Sequence, residues 1–354
     1  MSKYWQRKFE LRLIDSQQQG LVLSDLKVSF EINWNQFSTP RDASITIYNL
    51  SQTTLNQLLN EQYSRIEVYA GYAGTSTVSG AKSQPVVPAS LVKRPQAVAG
   101  PGIEPGFGQI FGGDLRAAKL SATSADTSIT LQVKDGFRAY IGAHSKAALA
   151  KGYRMVDAVN ILMEPLIKEY GIKAGHQFLF PTSRAPRGIN LDGPVSEHLN
   201  DLMKYVEARE QKGKHPYWQI IDGQLHILND DMHDGTVITL NAASGIIGRI
   251  NRVNSGSTNS GILEVTTLIN PAIRLGQRIK IEGDLTASGD QLFIKANNEE
   301  ADPQARLDTD GIYIVRGLNY KGDTRDSTWD MKITCQAQSD PGVPDIQNTK
   351  KTPG

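Results

Sequence analysis

The chain has 354 residues, with 38 basic and 37 acidic side chains giving a formal net charge of +1, and 39% of its residues are hydrophobic. That length predicts two or three domains with sizeable cores, and the charge balance lacks the basic excess of a dedicated nucleic-acid binder. The single cysteine, Cys335, excludes an intramolecular disulfide and a cysteine-rich zinc site.

No apolar run approaches the roughly 18 residues that a membrane-spanning helix needs, so no membrane anchor is expected. The opening Met1-Ser-Lys-Tyr-Trp-Gln-Arg-Lys-Phe-Glu-Leu11 has no apolar h-region and no small-residue cleavage site. A secretory signal is therefore not expected, and folding in a cytoplasm is.

Period-2 patterning dominates the first third. Val28, Phe30, Ile32 and Trp34 alternate with Lys27, Ser29, Glu31 and Asn33. Ile45 and Ile47 alternate with Ser44, Thr46 and Tyr48, and Ile129, Leu131 and Val133 alternate with Ser128, Thr130, Gln132 and Lys134. Each pattern predicts a half-buried strand. Residues 51–61 are the helical exception, with Ser51 as N-cap and Leu55, Leu58 and Leu59 on one face.

Residues 74–106 lose all periodicity and carry Pro85, Pro88, Pro95, Pro101 and Pro105. Such a segment buries too little apolar surface to offset its ordering entropy. It reads as an insertion in a hairpin, at the periphery, with Lys82, Lys93 and Arg94 as the first tryptic sites.

The period then changes. Val156, Val159, Leu162, Met163, Leu166, Ile167 and Tyr170 follow helical spacing, and Pro165 inside that run should kink or split the helix. Leu199, Leu202, Met203 and Val206 mark a second helix opening near Pro194 to Ser196. Residues 217–228 read as a hairpin turning at Asp222-Gly223. Short strands return at 237–240, 262–268, 278–281, 312–318 and 331–337, and residues 339–354 should fray.

The fold class expected is a β-rich α+β protein, with two antiparallel β-barrel-like domains and a helix-containing α+β domain between them. The expected domains are 1–145, 146–235 and 236–338, followed by the tail.

No phosphate loop, His-Glu-x-x-His pair or Gly-x-Ser-x-Gly elbow is present. Gly71, Gly74, Gly112 and Gly113 lack dinucleotide-fingerprint spacing and read as β turns and bulges. The densest polar constellation is His226, Asn229, Asp230, Asp231, His233 and Asp234. Two imidazoles and three carboxylates suit a divalent metal. The preferred reading is a solvated loop after a strand, with His226 on that strand's outer face. Trp5, Trp34, Trp218 and Trp329 are dispersed, as core anchors rather than a base-stacking platform. No catalytic, cofactor or metal site is therefore assigned.

Two stretches carry a family resemblance. One is Asp42-Ala-Ser-Ile-Thr-Ile-Tyr-Asn-Leu50, then Arg65-Ile-Glu-Val-Tyr-Ala-Gly-Tyr-Ala-Gly74, then Gly108-Gln-Ile-Phe-Gly-Gly-Asp-Leu115. The other runs from Leu268-Ile-Asn-Pro271 and Leu275-Gly-Gln-Arg-Ile279 to Gly311-Ile-Tyr-Ile-Val315 and Gly322-Asp323. Together they resemble tailed-phage baseplate hub proteins over most of residues 8–338, apart from the insertion.

The resemblance implies a structural protein rather than an enzyme, in a homotrimer whose paired β domains form a pseudo-sixfold ring. Its implied partners are the tail tube, the central spike, other baseplate proteins and the tape measure protein. DNA would be met only in transit, and the location would be the virion tail baseplate after assembly in the host cytoplasm. A hub of a type VI-like or headless-tail injection machine is the nearest alternative, and a cell-wall-degrading tail enzyme the more distant one. A conduit must not hold DNA, since each phosphate neutralised adds salt-dependent affinity. Its lining should therefore be small polar or acidic side chains from outward strand positions, with few unpaired Lys or Arg.

Overall fold

A computed structural model describes residues 6–17, 19–35, 39–60, 62–72, 106–122, 127–177, 183–209, 215–229, 237–241, 244–248, 250–253, 262–281 and 312–337. The expected 74–106 insertion, apart from Gly106, lies outside the described residues, as does the 339–354 tail.

The amino-terminal strands are β1 (Arg7–Asp15), β2 (Gly20–Leu23), β3 (Val28–Asn35), β4 (Asp42–Tyr48), β5 (Tyr63–Tyr72), β6 (Phe107–Ala122) and β7 (Thr127–Lys134), with helix α1 (Gln52–Leu59) between β4 and β5. The alternation expected of β3, β4 and β7 is present residue by residue, each apolar position being buried. Ser51 caps α1, its hydroxyl accepting from the Thr54 N–H, while Leu55 and Leu58 are buried and Leu59 is exposed.

The helical unit holds α2 (Phe137–Gly142), β8 (His144–Ser145), β9 (Ala148–Leu149), α3 (Met155–Tyr170), β10 (Lys173–Gln177), β11 (Ile189–Asn190), β12 (Gly193–Pro194), α4 (Val195–Arg209), β13 (Tyr217–Ile221) and β14 (Gln224–Leu228). Pro165 does not split α3, which runs unbroken from residue 155 to 170. Leu162, Met163 and Leu166 bury one stripe on both sides of the proline, and that packing outweighs the lost hydrogen bond. The β13–β14 turn has positive φ at both Asp222 (50°) and Gly223 (75°), as a two-residue hairpin with the native twist requires.

The carboxyl-terminal strands are β15 (Val237–Leu240), β16 (Asn251–Val253), β17 (Ile262–Leu268), β18 (Arg278–Ile281), β19 (Ile312–Asp323) and β20 (Trp329–Ala337). They do not form a separate sheet. Strand β19 pairs antiparallel with β3, Tyr320 opposite Ile32, so one 13-stranded sheet runs β16-β17-β20-β19-β3-β4-β7-β6-β5-β1-β2, with β15 and β18 attached at β19. This sheet is rolled. Phe9 on β1 stacks on Phe30 of β3 at 5.5 Å, although four strands separate them in the pairing order, and Trp329 meets both edge-on. The molecule is thus β-rich α+β with barrel-like β regions towards both ends.

Two hydrophobic cores result. One lies inside the rolled sheet and mixes residues from both β regions, such as Leu11, Ile45, Val265 and Ile333. The other lies between α2, α3, α4 and the β13–β14 hairpin, and includes Leu162, Leu199, Trp218 and Leu225.

Candidate functional site

The outward side of the sheet is the first feature with functional character. Strand alternation that buries Ile32, Ile45 and Leu131 necessarily turns Glu31, Ser44 and Gln132 outward. Register carries this across the seam between the two β regions. Asp330 lies opposite Lys321, Lys321 opposite Glu31, Glu31 opposite Ser44, and Ser44 opposite Gln132. A neighbouring row reads Thr266, Lys332, Asn319, Asn33, Asp42 and Lys134.

Two cations on this face meet anions. Lys321 Nζ lies 3.1 Å from Glu31 Oε1, and Lys332 Nζ lies 3.2 Å from Glu264 Oε2. Asn319 Nδ2 donates to Asn33 Oδ1 at 2.6 Å, and Gln132 Nε2 donates to the Ser44 hydroxyl at 3.1 Å. Lys321 hydrogen-bonds the Glu31 carboxylate and holds its pKa below the usual value. The face is polar and continuous over strands from both β regions, and its Lys321 and Lys332 are paired with carboxylates.

The second feature is a buried charged joint. Arg41 precedes β4, Asp135 follows β7, and Asp222 sits in the β13–β14 turn. The Arg41 side chain has no solvent exposure, and neither does that of Asp135. Arg41 Nε donates to Asp135 Oδ2 at 2.9 Å, Nη2 donates to the same oxygen, and Nη2 also donates to Asp222 Oδ1 at 2.8 Å. Trp34 and Phe111 flank the guanidinium, with ring centroids 4.6 and 5.4 Å away.

Burial works against the Arg41 charge, but the two carboxylates outweigh it and raise the pKa further. Burial pushes Asp135 up to about 6 against the pull of Arg41. Burial acts on Asp222 too, yet Arg41 and Arg274 hold it below the usual carboxylate value. Two acids sharing one guanidinium are thereby driven apart.

The constellation around residues 226–234 is not brought together as a site in the described residues. Asp230, Asp231, His233 and Asp234 lie outside them, and no metal-binding cluster occurs among them. His226 corrects the expectation of an outer position: it is buried, as is Asn229. Strand β14 is central between β10 and β13, and every residue of β13 is buried. Both faces of this hairpin are covered, so alternation there does not mean exposure. Trp34 and Trp329 anchor the sheet core, and Trp218 the helical core. Trp5 lies outside the described residues.

Sequence reasoning missed Arg41, Asp135 and Asp222 as a group. Asp135-Gly136 and Asp222-Gly223 are both Asp-Gly pairs, which read as turn chemistry and conceal the charge shared between them.

No family model and no curated protein sequence matches this chain. Solved structures do match. The tail protein from Neisseria meningitidis MC58 superimposes with a TM-score of 0.52 at 9% identity, covering 94% of this chain and 97% of its own. The 43 kDa tail protein of prophage MuSo2 from Shewanella oneidensis gives a TM-score of 0.53 at 9% identity, with the same 94% and 97% coverage. At such identity the likeness speaks to fold, and it extends over nearly the whole of both chains. The fold of this chain is that of these tail proteins, in agreement with the baseplate-hub resemblance carried by its sequence motifs.

Proposed function

We propose that this chain is a structural hub subunit of a phage tail, and not an enzyme. Three copies form a ring in which the 1–145 and 236–338 units alternate, joining a sixfold tail tube to a threefold central spike. The 146–235 unit sits on the outside of that ring and contacts other baseplate proteins. The polar face across β17, β20, β19, β3, β4 and β7 lines the channel through which DNA leaves.

The observation that carries this reading is the end-to-end fold match with tail proteins, 94% of this chain against 97% of theirs. The pairing of Lys321 and Lys332 supports the channel assignment, because paired lysines offer little to a passing phosphate. Native mass measurement of assembled tail tips tests the stoichiometry and is expected to give three copies per tip. Six copies, or a monomer within intact tails, would reject the ring. Turnover of cell-wall material by the purified protein would reject the structural assignment.

A further inference from the structure

The seam between the helical unit and the sheet has an unusual composition. Each side closes its own apolar core, and of the hairpin residues only Ile221 enters the sheet core. Beside the apolar Pro40, Trp218 and Ile220, the seam carries a directional set of hydrogen bonds. Trp34 Nε1 donates to Gln219 Oε1 at 3.1 Å, and Gln219 Nε2 donates to the Asn35 carbonyl at 2.7 Å. The Asp222 N–H donates to Asp135 Oδ2 at 2.9 Å, beside the Arg41 contacts already described. A crevice lined by Thr39, Asp135, Tyr140 and Gln219 runs along the seam and is too narrow to hold a water molecule. Asp135 Oδ1 and Arg41 Nη1 are buried and unpartnered.

A seam of this kind differs physically from an apolar interface. Apolar burial is non-directional and tolerates sliding. Buried ion pairs contribute little net stability, because desolvation offsets their attraction, but they hold one geometry. The ionised groups around the joint balance: Arg41, Arg65 and Arg274 face Asp135, Asp222 and Glu67. Removing Arg41 or Asp135, whose side chains are both fully buried, leaves a buried charge uncompensated.

We propose that the Arg41–Asp135–Asp222 cluster is a charge latch that seats the helical unit on the sheet. The unit is a rigid body with its own core, and opening the latch lets it leave its seat while both cores stay folded. In a tail hub such a joint would let the outer unit adjust without disturbing the ring, although the latch itself stands independently of that role.

Two measurements decide it. In the first, spin labels are placed at Lys168→Cys on α3 and Gln132→Cys on β7, both exposed. The latched chain is expected to give one narrow distance, and Asp135→Asn or the Arg41→Met/Asp135→Leu pair a broadened distribution with α3 and β4 amides still protected. A distribution as narrow as the parent's in both variants would overturn the proposal. The second needs no variant. In native-state hydrogen exchange the Asp222 N–H should open with at least tenfold less protection than the amides of Leu162 and Ile45. Equal protection at all three would show a single cooperative unit and would also overturn it.

Discussion

The backbone N–H of Asp222 donates to the Asp135 carboxylate at 2.9 Å, across 87 positions of sequence. That bond joins a hairpin turn of the helical unit to the end of a sheet strand. Arg41 bonds both side chains, so three segments distant in sequence are held by one buried cation.

Breaking this cluster from one side should cost more than its net worth. Removing one partner of a buried pair typically costs about 3–5 kcal/mol, because the other charge stays buried and unpaired. Arg41→Met and Asp135→Ala should each lower the unfolding free energy measured by urea titration by an amount of that order. Asp222→Asn should cost less, since Asp222 keeps 23% of its side chain in solvent and its backbone donor is unchanged. A loss below about 1 kcal/mol for Asp135→Ala would contradict the joint's role.

The pH dependence has a definite sign. Burial raises Asp135 from its ordinary 3.8 to about 6 in the folded state. The folded chain then holds a proton that the unfolded chain has released, so this contribution is complete below pH 3.8 and is lost as pH rises through about 6. Asp222 is shifted downward, and its contribution is present above its unfolded value and lost as pH falls through its depressed one. Urea midpoints of the parent, compared with Asp135→Asn, should therefore decline over the window from 3.8 to about 6. A difference that stays flat or rises over that window would refute the shift.

The paired lysines of the sheet face predict how DNA binding is acquired. Glu31→Gln with Glu264→Gln removes the ion-pair partners of Lys321 and Lys332 and leaves Asp330 as the remaining carboxylate beside them. The parent should not retain duplex DNA at physiological salt. The double variant should show added affinity whose logarithm falls with log salt at a slope of about −2, one ion released per freed lysine. Equal retention by the two proteins would remove the electrostatic argument for the channel lining.

Two glycines separate backbone strain from steric clash. Gly71 has φ +145°, and a Cβ there would lie 1.8 Å from the Gly106 carbonyl oxygen. Gly152 has φ +91° with nothing within 4 Å of a Cβ. Gly152→Ala should cost about 1–3 kcal/mol, the strain alone. Gly71→Ala should cost more, because the β5–β6 pairing must also open, and thermal melts of the two variants test the order.

Much of the fold was legible from local patterns. Ile45, Ile47, Leu131 and Val133 declare their strands because alternation is set by the pleat, whatever the neighbour. Ser51 declares a helix start, and Asp222-Gly223 a turn, because both need conformations that few residues provide. Pro165 does not split its helix, since packing of Leu162 and Leu166 overrode a local penalty. His226 misled because an alternating strand was covered on both faces.

The sequence by itself determined which residues face inward or outward on half-buried strands such as β3, β4 and β7, and that ionisable side chains are nearly balanced in number. Only the tertiary structure decided that β19 pairs with β3, that Lys321 finds Glu31 there, and that Arg41 closes on Asp135 and Asp222. The difference is one of range. Side-chain periodicity follows from backbone geometry within a few residues, whereas strand order and buried charge pairing depend on contacts between segments that meet only when the whole sheet has rolled.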